Sequence, residues 1–447
     1  MRVQKFILIF FFLFTTPLCF SGEKTYIPVG AAQTKKTILA FPPVRTTHPV
    51  LSKAGEIIAE TIEHDLAFMD LFKVLNPEAF IERETESGIT LNSFKFQDWT
   101  QIGAEFLIKS QLSSSNQKNL TYEVHVYDTL GAKEIFSKKY LGWIHELKPL
   151  SHQVANDLVH SLTGLPGIFL TKIAMSCDGS GKKEIYMMDF DGSNVKQITR
   201  HHSIAFAPAW NADGSKLAYS LYTKHPKNIK NIDLYEFDFK SQTLQLLSNK
   251  KGMNSGAAYS PDGTSLALTL SYAGSPSLYQ LQLKNKALSL LTKSLGFDVD
   301  PAWSPNGKQL AFVSSRTGIP MIYTMKSNGS DVQRLTFAGR YNATPTWSPQ
   351  SDKIAFAGWL DQRFDIFMMN SDGTHMERLT KNQGNNEDPF FSPDGNFIVF
   401  SSNRTGQKNI YVMNVDGTFV KRLTYGLGHC VSPKWSPSSP PGNERVQ

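Results

Sequence analysis

An aromatic hairpin phrase recurs six times between Ile185 and Thr424, and its last five copies keep a 44-residue register. It reads EIYMMDFDGSNVKQIT from 184, DLYEFDFKSQTLQLLS from 233, SLYQLQLKNKALSLLT from 277, MIYTMKSNGSDVQRLT from 321, DIFMMNSDGTHMERLT from 365 and NIYVMNVDGTFVKRLT from 409. Between copies lies a second strand-and-turn unit, centred on Trp210, Tyr259, Trp303, Trp347, Phe391 and Trp435. Short alternating apolar segments at such a period, separated by turn signals, are what a four-stranded propeller blade requires.

In PAWSPNGKQLAFVS, Pro305 fixes φ in a type I turn that ends on Gly307, which makes Trp303 and Leu310 antiparallel neighbours. Asp-Gly or Asn-Gly in the next turn supplies the positive φ of a tight hairpin, although DFKSQT and QLKNKA replace it in two copies. Each unit is therefore read as strand a (PxWSPDG), strand b (LAFxS), strand c (IYxM) and strand d (RLT). KIAMSC at 172–177 is a b strand with no a strand before it, and CVSPKW at 430–435 is an a strand with no b strand after it. Left alone they make two raw sheet edges, and pairing them removes both. The expected fold is a small N-terminal α/β domain followed by an all-β six-bladed propeller, closed by pairing the C-terminal strand into the first blade.

Closure puts Cys177 and Cys430 in one blade. Hairpin alignment leaves them one residue out of register, so a disulfide needs a bulge or a shifted pairing, and two half-buried thiols are the plainer expectation. A bond there would close a loop of about 250 residues and add about 4 to 5 kcal/mol in the chain-entropy account.

Residues 1–21 carry Arg2 and Lys5, the apolar run FILIFFFLF and then TTPLCFSG. That run is too short for a membrane span and has the layout of a secretory signal peptide. Leu18 before Cys19 argues against lipidation. The expected divisions are signal peptide 1–21, flexible segment 22–35, α/β domain 36–164, propeller 168–437 and disordered tail 438–447, with the mature protein soluble beyond the inner membrane and not inserted in it. The net charge of +7 is spread over the chain without a basic block, so no nucleic-acid partner is expected.

Within the first domain, TILAF at 37–41 and Phe72 to Leu75 read as strands, and Ala54, Ile57, Ile58, Ile62, Leu66 and Met69 set one apolar face of a helix from about 51 to 69. EFLIKSQLS, LTYEVHVYD and EIFSKKYLG form a strand meander, and Leu147 to Thr163 a closing helix before the breaker Gly164-Leu165-Pro166-Gly167. Segment 22–35 reads either as a disordered end or as a peptide gripped by a partner.

No catalytic residues are expected. No G-x-S-x-G elbow occurs. DGSGKK at 178–183 fails the phosphate-loop spacing, His201-His202 lacks companion ligands, and Asp189 and Asp191 are turn formers more readily than calcium ligands. No cofactor or metal is indicated, and nothing in the residues points to a cation in the canal. Function is expected at the surface. The loops before each a strand ring the mouth of the central canal with Met253, Asn254, Asp298, Asp300, Asn342, Thr344, Glu387, Asp388, His429 and Ser432. The b-to-c loops add Arg316, Arg363 and Arg404 to the same face. Mixed carboxylates and guanidinium groups around a concave mouth suit a protein or peptide. Strand b of the first blade starts on the opposite face, so the N-terminal domain should be tethered there.

The chain resembles the TolB family of the Tol-Pal system over nearly its whole length: in the leader, TILAFPP, LFKVLNPEAF, WTQIGAEFLIKSQL, YEVHVYDTLG, the LTGLPGIFLTKIA junction and the six blade phrases ending in PKWSP. The resemblance implies a non-enzymatic, monomeric periplasmic protein. It further implies that the propeller face binds the peptidoglycan-associated lipoprotein Pal and the N-terminal segment engages TolA, with other outer-membrane proteins as further partners, in support of outer-membrane integrity and invagination at division. Met253, Asn254, Val299 and Asp300 fall where the family's Pal-contacting mouth lies. Ala257 in place of Pro, Met253 and the tail SSPPGNERVQ depart from the family pattern. The alternative is a periplasmic propeller enzyme, a hydrolase or lyase acting on peptides or sugars.

Overall fold

The protein is described by a computed structural model that covers residues 35–82, 87–114 and 119–437. The leader, segment 22–34 and the tail 438–447 lie outside the described residues.

Six sheets of four antiparallel strands form the C-terminal ring, each built in the order a, b, c, d. Five are continuous in sequence. The sixth joins Cys430–Trp435 to Lys172–Cys177, Glu184–Asp189 and Lys196–Gln197, with Trp435 opposite Ile173. Consecutive sheets pack face to face: Ile366 and Met368 of one blade meet Phe400 and Tyr411 of the next, and Leu278 meets Phe312 and Tyr323. Tryptophans of strand a stitch neighbouring blades, with Trp347 Nε1 donating to the carbonyl of Ala302 and Trp210 Nε1 to that of Lys434, both at 3.0 Å. The threonine ending most hairpin phrases has a fixed duty. Its hydroxyl accepts the backbone N–H at the start of strand c, as in Ile322 to Thr336 and Ile410 to Thr424, both at 2.9 Å. This satisfies a buried donor that the ladder leaves open.

The first domain is a mixed sheet in the order 72–74, 37–40, 106–114, 119–128, 133–143, with two long helices against one face. Helix α1 (Ser52–Phe68) buries Ala54, Ile58, Ile62 and Leu66, the stripe seen in the sequence. A short helix α2 (Phe96–Gln101), which periodicity does not reveal, anchors Trp99 in a second core beneath the sheet. Helix α3 (Leu147–Thr163) ends at Gly164 in the left-handed conformation (φ 74°), where a Cβ is unfavourable.

The two domains share one core. Phe68 at the end of α1 meets Phe190, Phe397 and Phe419 of the propeller at ring-centroid distances of 5.0, 5.3 and 6.4 Å. Phe190 and Phe419 belong to c-to-d turns, so the N-terminal domain sits on the face opposite the mouth, as the direction of chain entry implies.

One sequence expectation is corrected here. Cys177 and Cys430 are disulfide-bonded. The pairing slips by one residue between Val431 and Lys434, with Ser432 at φ 53°, and this bulge brings Cys430 directly opposite Cys177. The one-residue mismatch in the plain hairpin alignment is taken up by the bulge itself.

Candidate functional site

The bulge at Ser432 is one of six. Every a strand breaks register at the same point, and the residue there has positive φ: Ala207 (51°), Gly256 (60°), Asp300 (53°), Thr344 (50°), Asp388 (57°) and Ser432. In a non-glycine residue, above all β-branched Thr344, that conformation costs about 1 to 3 kcal/mol. Its recurrence in every blade, at 44-residue spacing in the last five, marks a built feature. A bulge re-aims its side chain, and here the six residues line the upper wall of the central canal.

Two of these six are carboxylates. Asp388 Oδ2 accepts from Ser432 N (3.0 Å) and Oγ (3.2 Å) in the next blade. Asp300 reaches the other way, so that a Cβ added at Gly256 would lie 3.4 Å from its Oδ1. Burial chiefly, and then the charge of Asp388, push the Asp300 carboxyl up to about 6, against the opposing pull of Lys434. Lys434, one step deeper, holds Nζ 4.7 Å above the Phe390 ring and is pushed down from the usual lysine value by burial. Above this neck opens a cleft of about 620 Å³ lined by Arg340, Tyr341, Trp359, Phe364 and Glu387 together with the canal carboxylates.

The residues expected at the mouth divide into two groups. Asp300, Thr344, Asp388 and Ser432 face the canal, and Glu387 lines the cleft, paired with Lys408 at 2.8 Å. Arg363 stands half-buried at a hairpin tip, and His429 is exposed, its backbone N–H bonded to Asp178 Oδ1 at 2.7 Å. Met253 and Val299 are half-buried, Val299 against the core between its blade and the next. Of the others, Asn254, Asp298 and Asn342 are buried, and Arg316 and Arg404 are half-buried over them. Asn254 is wholly buried, donating to the carbonyls of Ile232 (2.7 Å) and Lys250 (2.6 Å), and Asn342 likewise ties its loop through Ala338 O. Asp298 is buried beneath Arg316, whose Nη2 donates to both its oxygens at 3.2 and 3.3 Å. Arg404 repeats that arrangement on Asn386 at 2.9 Å, with its guanidinium 4.7 Å from the Tyr411 ring. These five side chains pin loops in place, and the sequence gives their face of the ring but not their depth.

An apolar rim on the same face was not read from the sequence. Leu295 is fully exposed, and Phe337 and Tyr425 are 74% and 67% exposed. All three sit in d-to-a loops of the mouth face. Arg334 lies 4.9 Å from the Phe337 ring and Arg422 4.5 Å from that of Tyr425, holding each platform up. For Phe337 and Tyr425 the available signal was a large apolar residue directly after the RLT of a blade; Leu295 lies three residues past an LLT and carries no such mark. Exposed apolar groups gathered around one concave mouth are characteristic of protein docking.

With this geometry in place, comparison with known proteins gives consistent matches. The TolB beta propeller domain family matches residues 159–362 and 342–440, and the TolB amino-terminal domain family matches 25–135. The Tol-Pal system protein TolB of Desulfosudis oleivorans is 35% identical over 279 residues, 62% of each chain. The Protein TolB homolog of Chlorobium chlorochromatii is 36% identical over 287 residues, 55% of this chain and 64% of its own. The chain thus aligns with rather less than two thirds of these relatives' length. The crystal structure of TolB from Acinetobacter baumannii superposes with a TM-score of 0.77 at 24% identity, covering 90% of this chain and 97% of that one, which shows the shared fold.

Proposed function

The chain belongs to the TolB family, and on that premise we propose that it is a periplasmic docking protein of the Tol-Pal system that binds partners and catalyses no reaction. The propeller mouth takes the peptidoglycan-associated lipoprotein Pal, and the N-terminal segment engages TolA. Through these contacts the protein supports outer-membrane integrity and the invagination of that membrane at division. The observation that carries the reading is the mouth face itself: a cleft edged by Glu387, Asp388 and Arg340, rimmed by exposed Leu295, Phe337 and Tyr425, and left open because the N-terminal domain packs on the other side. Exposed apolar and aromatic anchors supply contact area for a folded protein surface, and the charged groups beside them fix its register.

The disulfide between Cys177 and Cys430 supports an oxidising compartment such as the periplasm. Binding of soluble Pal to the mature chain tests the proposal, read by surface plasmon resonance. Saturable 1:1 binding, weakened at least about tenfold by Glu387→Lys or Asp300→Lys, is expected. No binding, or binding indifferent to both changes and to Phe337→Ser, overturns the assignment to this face.

A further inference from the structure

Three loops of the mouth face, separate in sequence, come together over the second and third blades (205–248 and 254–290). Residues 199–204 lead into the second blade, 224–230 form the tip of its b-to-c hairpin, and 249–253 lead into the third. Hydrogen bonds hold them side by side. Tyr222 N donates to Ile204 O at 2.9 Å, and Ser203 Oγ to Tyr222 O at 2.6 Å. Gly252 N donates to Asn231 Oδ1 at 2.6 Å, and Asn231 Nδ2 to Lys250 O at 3.0 Å. Met253 N then donates to Ser271 Oγ at 2.8 Å, which joins this arc to the loop that carries Tyr272.

The arc is basic throughout. It presents Arg200, Lys224, Lys227, Lys230, Lys250 and Lys251, all exposed, and no carboxylate occurs in 199–204, 222–232 or 249–261. The acids beneath are buried and already bonded, Asp233 to His225 Nε2 at 2.8 Å and Thr223 Oγ1 at 2.6 Å, and Glu184 to Thr199 Oγ1 at 2.6 Å. Elsewhere on this face several cations are neutralised in place, Arg316 by Asp298, Arg378 by Asp361 and Asp365, and Lys408 by Glu387. In the second blade, by contrast, Lys224 and Lys230 are direct cross-strand partners, and Lys227 stands at the tip with φ 63°. Like charges set opposite each other on a ladder are destabilising. The hairpin carries that arrangement at the end of strands of nine residues each, against six in the next two blades.

The composition of the arc selects what it meets. Lysine ammonium groups are point charges on flexible stems, without the fixed fork that reads one planar anion. Five of them spread over neighbouring loops suit many anions laid out on a surface. Exposed apolar side chains stand among them: Ile204, Ile229 and Tyr272, with Lys250 Nζ 5.9 Å from the Tyr272 ring. Cations interleaved with aliphatic and aromatic groups adsorb at an anionic membrane, where charge meets headgroup phosphates and apolar groups enter the boundary with the acyl chains. A free phosphate supplies the charge and leaves those apolar groups in water.

We propose that these loops form an adsorption surface for the anionic phospholipid headgroups of a bilayer, with Arg200, Lys224, Lys227, Lys230, Lys250 and Lys251 against the phosphates and Ile229 at the acyl boundary. The contact is peripheral: the chain lies on the membrane and does not span it. It stands on the charge and exposure of the loops and does not depend on the docking function proposed above. The six cations are divided among three segments of the sequence, so no basic block marks the site there.

The test is co-flotation of the mature chain, with no partner present, with vesicles of phosphatidylglycerol and phosphatidylcholine, and with phosphatidylcholine vesicles as the neutral surface. Binding to the anionic vesicles alone is expected, falling as ionic strength rises. Lys224→Gln/Lys227→Gln/Lys230→Gln should weaken partitioning at least about tenfold. Lys240→Gln/Lys284→Gln/Lys286→Gln removes the same charge from exposed c-to-d turns on the opposite face and should change it less than about twofold. Ile229→Ser should weaken it measurably at unchanged charge. Thermal melts confirm that the variants remain folded. Equal binding to both kinds of vesicle, equal loss in the two triple variants, partitioning unmoved by Ile229→Ser, or displacement by inorganic phosphate beyond that by chloride at matched ionic strength overturns the proposal. So does an absence of vesicle binding in which the first triple variant loses affinity for soluble Pal, which assigns the arc to an acidic protein surface. Because the vesicles carry no protein, failure here is separate from failure of docking.

Discussion

Cys177 and Cys430 face each other across the seam of the first blade, Cα atoms 4.2 Å apart and sulfurs bonded, 253 residues apart in sequence. The bond fastens the one blade that the chain does not build continuously. Opening of that seam would expose two sheet edges at once. The Cys177→Ser/Cys430→Ser protein is expected to lose about 2 to 5 kcal/mol of stability, measured by chaotrope unfolding. Denatured, unreduced protein should yield no free thiol from either position. A thiol titre from both, or an unchanged midpoint in the double variant, contradicts the clamp.

Why the bond was not foreseen shows where sequence reading stops. Strand identity, blade count and closure follow from period and turn residues, which are local signals. The register of Cys430 against Cys177 depends on a bulge at Ser432, and its trace in the sequence is only a residue before proline, at Ala207 and then, in 44-residue register, at Asp300, Thr344, Asp388 and Ser432, with Gly256-Ala257 as the exception. Four of them, Asp300, Thr344, Asp388 and Ser432, read as mouth residues in the sequence, whereas the structure turns them into the canal. Depth was equally hidden, since Asn254 and Glu387 both precede the bulge of their own strand and only one is interior. Alternation predicts a face, while the tie from Asn254 to Lys250 depends on the shape of the loop.

The residues that pin the loops of the ring therefore separate from the docking residues in experiment. Arg316→Ala leaves Asp298 buried and unpaired and is expected to cost about 3 to 5 kcal/mol. Asn254→Ala strands the loop groups it serves and should cost about 1 to 3 kcal/mol. Pal affinity of the folded fraction should change less than about twofold in both. A large loss of affinity without loss of stability would return these residues to the binding surface.

At the domain interface, Asp65 is fully buried, bonded to His152 Nδ1 at 2.6 Å and 3.5 Å from His64 Nδ1. The Asp65 carboxylate foremost, with smaller help from Asp191, raises the His64 pKa above its ordinary value, against burial and Lys421. A raised histidine stabilises the folded state fully below its unfolded pKa of about 6.5 and loses that contribution as pH rises through the folded value. Protease susceptibility of the linker at 164–167 should increase across that range, and His64→Gln should flatten the dependence. Phe68→Ala, which empties the aromatic contact with Phe190 and Phe397, is expected to cost about 3 to 5 kcal/mol at every pH. A pH profile that His64→Gln leaves unchanged assigns the effect elsewhere.

Asp300 gives the opposite of the ordinary carboxylate behaviour. A paired surface carboxylate has a depressed pKa and strengthens the fold as pH rises; Asp300 is raised to about 6 by burial and by Asp388, with only Lys434 opposing. Its folded form holds the proton more tightly than the unfolded chain, so its contribution is complete below about 3.9 and is lost as pH climbs through about 6. Asp300→Asn keeps the shape and removes the charge. The variant should match the parent below about pH 3.9 and exceed it increasingly up to pH 8, a difference read by chaotrope unfolding across that interval. If Asp300→Asn is the less stable protein at pH 8, the canal carboxylate is already compensated within the chain, and the strain at its bulge needs another explanation.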